Sequence, residues 1–237
     1  MRLTEIRVAG FGGQGVILSA VVLGKAASIY ENGFATMTQN FRPEARGGAC
    51  SAQLVISDEP VLYPYVTQPD MMVIMSQEAY NRFAGELKPG GLLIVEGDLV
   101  RVSNLNRDKK VYSIPATRFA EELGKRMVLN AVMVGFFTAV TKLLGADSVR
   151  KAVADSVPAA FRELNLKAFE KGFEYGNTTL AGTPARAEVE ELVTEEYPPP
   201  FHDAQLYSPL TRSGIRIFLP HFRKSTPTHS SRLIPQT

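Results

Sequence analysis

A chain of 237 residues with a formal net charge of +2 and 45% hydrophobic content has room for one packed α/β domain plus an extension. Its pI near 8.6 and mean hydropathy of −0.04 give no electrostatic footprint for nucleic acid. Its one cysteine, Cys50, excludes an internal disulfide and leaves the chain unable to hold an iron–sulfur cluster alone.

In chain order, short apolar runs predict strands over residues 5–9, 34–38, 49–57, 71–75, 92–96 and 110–114. Helical periodicity predicts helices over 15–30, 77–87, 117–125, 128–144, 148–156 and 166–176. The alternation implies a three-layer, Rossmann-like α/β domain with a mostly parallel sheet. Ser76 is placed to cap the helix of Gln77, and Lys88-Pro89-Gly90-Gly91 to stop it before the next strand. Asn165 reads as the cap of the last helix and Gly176 as its end. The stretch from Met127 to Leu144 is nearly continuous apolar sequence, broken by Asn130, Thr138, Thr141 and Lys142. It reads as a core or subunit-interface helix rather than a membrane span. These patterns assign residues 1–176 to the α/β domain. Residues 177–237, rich in Pro, Ser and Thr, form a C-terminal extension suited to a mobile or partner-wrapping segment, with one short strand pattern at Ile215-Arg216-Ile217-Phe218-Leu219.

The segment Gly10-Phe11-Gly12-Gly13-Gln14-Gly15 lies between the first strand and the first helix. Glycines there let bare amides approach an anion at the helix start, although strand–helix packing can also call for them. Gln14 can donate to a phosphate or accept from a partner. A dinucleotide site of this type also needs an acid about 20 residues on, at the end of the second strand. Residues 33–40 contain none; Asn40 leads instead into Arg42-Pro43-Glu44-Ala45-Arg46-Gly47-Gly48. Arg42 and Arg46 offer forked donors for carboxylate or phosphate, and Gly47 and Gly48 permit close approach. Alone, such a loop can be a solvated surface with its arginines paired to Glu44; beside the glycine turn it suits a ligand or another subunit. Cys50 has no histidine near it in sequence and reads as a small core residue, while Glu96 and Asp98, beyond a strand end, read as solvated turn acids. The three histidines, His202, His221 and His229, lie far apart. No Ser–His–Asp set, metal-ligand spacing or framed lysine is present, so no residue is assigned a catalytic role. The amino terminus shows no secretory pattern, and the expected location is cytoplasmic.

The ordered set Gly10–Gly15, Glu44-Ala45-Arg46-Gly47-Gly48 and Leu87-Lys88-Pro89-Gly90-Gly91-Leu92-Leu93-Ile94-Val95 resembles the gamma subunit of 2-oxoacid:ferredoxin oxidoreductases. Ile114-Pro115-Ala116-Thr117, Ala120-Glu121-Glu122-Leu123-Gly124 and Asn165-Leu166-Lys167-Ala168-Phe169 extend the resemblance almost to Gly176, with the Arg46 loop closest to the 2-oxoglutarate branch. The resemblance implies a subunit, inactive alone, of an enzyme that oxidatively decarboxylates a 2-oxoacid, reduces ferredoxin and acylates coenzyme A, or runs the reverse. It implies alpha and beta companions, in some cases delta, carrying thiamine diphosphate, Mg and [4Fe-4S] clusters, with no cofactor held by this chain alone. Coenzyme A or substrate anions would meet Gly10, Gly12, Gly13, Gln14, Gly15, Asn40, Arg42, Arg46, Gly47 and Gly48. The alternatives from the residues are a stand-alone Rossmann-type nucleotide-binding oxidoreductase and a non-catalytic scaffold subunit. Neither nucleic acid nor membrane is an expected partner.

Overall fold

The computed structural model describes residues 3–40 and 49–181. Six strands, β1 (Thr4–Phe11), β2 (Phe34–Asn40), β3 (Ala49–Ser57), β4 (Met71–Ile74), β5 (Leu92–Glu96) and β6 (Lys110–Ile114), form one sheet in the order β2-β3-β1-β4-β5-β6. The ladders β1–β4, β4–β5 and β5–β6 are parallel, whereas β3 runs antiparallel to both β1 and β2. The sheet is therefore mixed. Only residues 41–48 separate β2 from β3, and a parallel crossover needs a dozen or more. A hairpin is the connection that length permits.

The helices are α1 (Val16–Lys25), α2 (Gln77–Phe83), α3 (Ala116–Glu122), α4 (Leu129–Thr141), α5 (Ala146–Asp155) and α6 (Ala159–Ala181). Alternation along the strands sends Ile6, Val8, Leu54, Ile56, Val73 and Ile94 into one core with α1 and α3 to α6. Ala9, Met72, Ile74, Leu93 and Val95 face the other way, onto α2. Three layers result. Every residue of α4 from Leu129 to Ala139 is buried, which is why its sequence is apolar all round. No helix among the described residues is long and apolar enough to cross a membrane.

Local chemistry sets several boundaries. Ser76 Oγ accepts from Ala79 N–H and caps α2, and Gly90 turns the chain at φ 70° before β5. The single helix expected over 15–30 is α1 followed by a π-helical turn, Ala26–Tyr30. The last helix differs most from its sequence reading. It begins after Pro158, seven residues before Leu166, and passes through Gly176 to Ala181. Asn165 is buried inside α6, its amide donating to Phe161 O one turn back, and so caps nothing. Gly176 is a packing residue: a Cβ there would stand 2.6 Å from Ala139 Cβ.

The α4–α6 contact depends on glycine on both sides. A Cβ at Gly135 would lie 2.0 Å from Phe169 O, and one at Gly172 would lie 2.0 Å from Val132 O. The two backbones thus touch directly. At the opposite side of the domain, buried Arg7 on β1 pairs with Glu86 at 2.7 Å, donates to Val66 O at 3.1 Å and stacks over Phe83. One guanidinium ties β1 to the turn after α2 and to the connection between β3 and β4.

Candidate functional site

The glycine turn stands at the carboxyl end of β1, and its shape follows from the residues within it. Gly10 is the buried end of the strand; a Cβ there would meet Gln14 Oε1 at 2.6 Å and Met75 Cβ at 2.9 Å. That space is taken by the Gln14 side chain. Its Oε1 accepts from Phe11 N–H at 2.7 Å, and its Nε2 donates to Met75 O at 2.9 Å. Gln14 therefore braces the turn from inside and links it to the end of β4. The backbone helps, with Gln14 N–H donating to Phe11 O at 3.2 Å.

Gly12 and Gly13 form the exposed crest, where an added Cβ would meet nothing within 4 Å among the described residues. Gly13 has φ 90°, and Gly15, the residue before α1, has φ 74°. Both lie in the left-handed region that favours glycine. Gly15 is also crowded from behind, because a Cβ would lie 2.6 Å from Asn130 Cγ at the start of α4. No side chain caps α1, so the first amides of the helix follow directly on the bare crest. Helix-start amides of this kind favour an anion through their partial positive charge.

The pairing register brings the second motif alongside. Ala49 pairs with Phe11, Cys50 with Gly10, and Asn40 with Ser51 across β3. The loop carrying Arg42, Arg46, Gly47 and Gly48 lies outside the described residues; Ala49, which follows it, pairs beside the glycine turn, and Asn40, which precedes it, lies one strand further out. The same register departs from a dinucleotide fold, in which the second strand lies directly beside the first. Here antiparallel β3 occupies that place and β2 is one position further out. The stand-alone dinucleotide reading thus lacks its acidic residue and also its neighbouring strand.

Cys50 is half-buried on β3, and burial pushes its thiol pKa up. The thiol form, not the nucleophilic thiolate, is held at neutral pH. Glu96 corrects its sequence reading outright: its relative exposure is 0%. Its Oε1 accepts from Thr117 N–H at 2.8 Å at the start of α3. Its Oε2 and the Thr117 hydroxyl have no hydrogen-bond partner among the described residues. Burial, opposed by the hydrogen bond from Thr117, pushes its carboxyl above the usual carboxylate range. Asp98 behaves as a surface acid, paired with Arg118 at 2.7 Å. Among the described residues no cluster of His, Cys, Asp and Glu is arranged to hold a metal ion.

Sequence reasoning did not foresee the parts of Met75 and Asn130. Met75 offers only a carbonyl, which no side-chain pattern announces. Asn130 had a signal, as the polar interruption at the start of an otherwise apolar helix.

Residues 5–175 match the family model described as pyruvate ferredoxin/flavodoxin oxidoreductase. The chain is 47% identical over 172 residues to 2-oxoglutarate synthase subunit KorC of Methanocaldococcus jannaschii, covering 72% of this chain and 92% of that protein. It is 31% identical over 187 residues to ketoisovalerate oxidoreductase subunit VorA of Methanothermobacter marburgensis, covering 76% of this chain but only 38% of that longer protein. In structure it is similar to the gamma subunit of keto/oxoacid ferredoxin oxidoreductase from Geobacter sulfurreducens. That match has a TM-score of 0.65 at 37% identity and covers 74% of this chain and 99% of the other.

Proposed function

The chain belongs to the pyruvate ferredoxin/flavodoxin oxidoreductase family, and from that premise we propose that it is the gamma subunit of a 2-oxoglutarate:ferredoxin oxidoreductase. The assembled enzyme converts 2-oxoglutarate and coenzyme A to succinyl-CoA and CO2 with reduction of ferredoxin, or runs the reverse. The likeness to KorC over 92% of its length is the observation that carries this reading. Decarboxylation and electron transfer are supplied by thiamine diphosphate with Mg and by [4Fe-4S] clusters on the alpha and beta companions, with a delta subunit where one is present. The complex works in the cytoplasm.

This chain contributes an anion-binding wall to a shared active site. The exposed amides of Gly12 and Gly13 and the helix start after Gly15 face a coenzyme A phosphate or the distal carboxylate of the 2-oxoacid. Arg42 and Arg46 complete the charge, with Asn40, Gly47 and Gly48 shaping the approach. Gln14 and Gly10 act behind them, holding the crest in its left-handed form through the bonds to Phe11 and Met75. The open crest fits this use, since a Cβ at Gly12 meets no atom of the described residues within 4 Å. Residues 182–237, beyond α6 and the family match, serve as an extension against companion chains.

Purification from the native host tests the reading. Companion chains bearing thiamine diphosphate and iron–sulfur clusters are expected to travel with this one, and the complex to reduce ferredoxin with 2-oxoglutarate in preference to pyruvate. A chain that purifies alone, or a complex that prefers pyruvate, contradicts it.

A further inference from the structure

We infer that Asn130 is a further ligand-binding residue of the glycine turn, its side-chain amide donating to the anion that the start of α1 receives. This role rests on the anion-wall reading proposed above and adds to it a residue from a distant part of the sequence. Asn130 is the second residue of α4 and only 5% exposed. It lies against Gly15: a Cβ on that glycine would stand 2.6 Å from Asn130 Cγ and 2.9 Å from its Nδ2. The missing side chain of Gly15 is what gives the amide its place beside the helix start.

That amide is unpaired. Of the three polar residues of α4, Thr138 and Thr141 donate to the carbonyls of Val134 and Phe137, one turn back. Asn130 makes no such bond, and among the described residues neither its Oδ1 nor its Nδ2 has a hydrogen-bond partner. Neither atom is sealed from solvent, so the small exposed remainder of this buried residue includes its amide tip. A buried amide without a partner costs stability, and leucine would fill nearly the same space without that cost. Asparagine is also a poorer helix former than the Leu, Ala and Met around it. Packing and helix formation do not call for an amide here; a ligand oxygen does.

The neighbours of the amide select an anion. The amides of Val16, Ile17 and Leu18 precede the first bonded one of α1, Ser19 N–H, which donates to Gly15 O at 2.9 Å. No side chain caps them. These N–H groups and Asn130 Nδ2 are all donors, and an oxyanion answers several of them at once. A phosphate of coenzyme A and a carboxylate of the 2-oxoacid share this chemistry, whereas a cation is repelled by the helix start. A neutral donor suits the position because a lysine or arginine buried as deeply would lose its hydration. The other side-chain amide of the turn, Gln14, already has both its atoms bonded, to Phe11 and Met75.

Asn130→Leu and Asn130→Asp in the full-length chain, alone and assembled with its companions, test the assignment. The isolated leucine variant is expected to melt no lower than the parent, since an unpaired amide gives way to an apolar side chain of similar shape. In the complex, the dissociation constant of coenzyme A or of 2-oxoglutarate, read by titration calorimetry, is expected to rise about 10-fold. The matching Michaelis constant should follow, with kcat within about 2-fold of the parent. Whichever ligand loses affinity identifies the anion as phosphate or carboxylate. The aspartate variant keeps the shape but sets a negative charge against the anion, and should weaken the same ligand about 10-fold further. Melting temperatures lowered by more than about 5 °C in both variants place the partner of the amide inside the fold and overturn the inference. Unchanged constants in both variants, with one constant raised in Gly12→Ala or Arg46→Ala, overturn it and leave the anion wall standing. Unchanged constants in all four variants overturn both readings together.

Discussion

Replacing Gly135 with alanine puts the direct backbone contact between α4 and α6 to the test. The new Cβ would stand 2.0 Å from Phe169 O and 2.9 Å from the carbonyl carbon behind it. An ordinary C···O contact is roughly 3.3 Å or longer, so α4 and α6 must separate by about 1 Å. Neither side can yield by rotating a side chain, because the obstacle is main chain. Overpacking a core typically costs about 1–3 kcal/mol, and rigid backbone puts this site at the upper end, near 3 kcal/mol. Alanine recovers about 1 kcal/mol through its helix propensity, leaving a net loss of about 2 kcal/mol. For a domain of this size that loss lowers the melting temperature by about 4–8 °C. Gly172→Ala, which meets Val132 O at 2.0 Å, should match it, and the double variant should lose less than the sum because one separation relieves both contacts. Gly85→Ala is the control, since its Cβ meets nothing within 4 Å. Thermal melts followed by circular dichroism read the result. A Gly135→Ala protein melting within about 1 °C of the parent would refute the claim that backbone contact sets this helix spacing.

Glu96→Gln should flatten the pH dependence of stability. The folded pKa of Glu96 is raised by burial, so its contribution is complete below the unfolded value, about 4.3, and is lost as pH rises through the folded value. The glutamine variant should therefore gain on the parent from pH 4 to pH 8 in urea titrations; a constant difference would contradict this. Arg7→Ala removes a buried guanidinium with its Glu86 and Val66 partners and should cost about 2–3 kcal/mol, measured in the same titrations, with faster amide exchange near Val66. Ser76→Ala deletes the α2 cap and should cost about 1 kcal/mol. Gly12→Ala leaves the fold unstrained, so its melting temperature should hold while the Michaelis constant of the assembled enzyme for coenzyme A or 2-oxoglutarate rises. Arg46→Ala should raise one of those constants about 10-fold, since a charge-assisted bond contributes roughly 1.5–3 kcal/mol. Unchanged constants in both variants would remove the anion-wall role.

The parts of the fold that local chemistry dictates were legible in the sequence. β4 and β5 run through the uninterrupted apolar stretches Met71-Met72-Val73-Ile74 and Leu92-Leu93-Ile94-Val95, and Ser76 caps α2 because its side chain reaches an amide three residues on. Long-range choices were not legible. The place of β3 between β1 and β2 depends on pairing across the sheet, although the short 41–48 connection already implied a hairpin. Asn165 and Gly176 carry cap chemistry in isolation, but the Asn165 amide bonds Phe161 O one turn back within α6, and Gly176 packs against Ala139 and Phe136 of α4, so both lie inside the helix. Pro158, a common helix-start residue, was the signal that went unused. Glu96 looked solvated because charge beside a turn usually is; the start of α3 supplies the donor that lets it be buried. In the candidate site, the glycine turn between β1 and α1 followed from motif order. The inward role of Gln14 did not, because an amide suited to a ligand is equally suited to a neighbouring carbonyl.

The most direct measurement is reconstitution: the purified chain and its separated companion subunits, each alone and then mixed, assayed for ferredoxin reduction by 2-oxoglutarate with coenzyme A. The account predicts no turnover from this chain alone and recovery of coenzyme A-dependent turnover when it rejoins its companions. Turnover by the isolated chain, or full activity of the companions without it, would contradict the claim that this subunit supplies one wall of a shared active site.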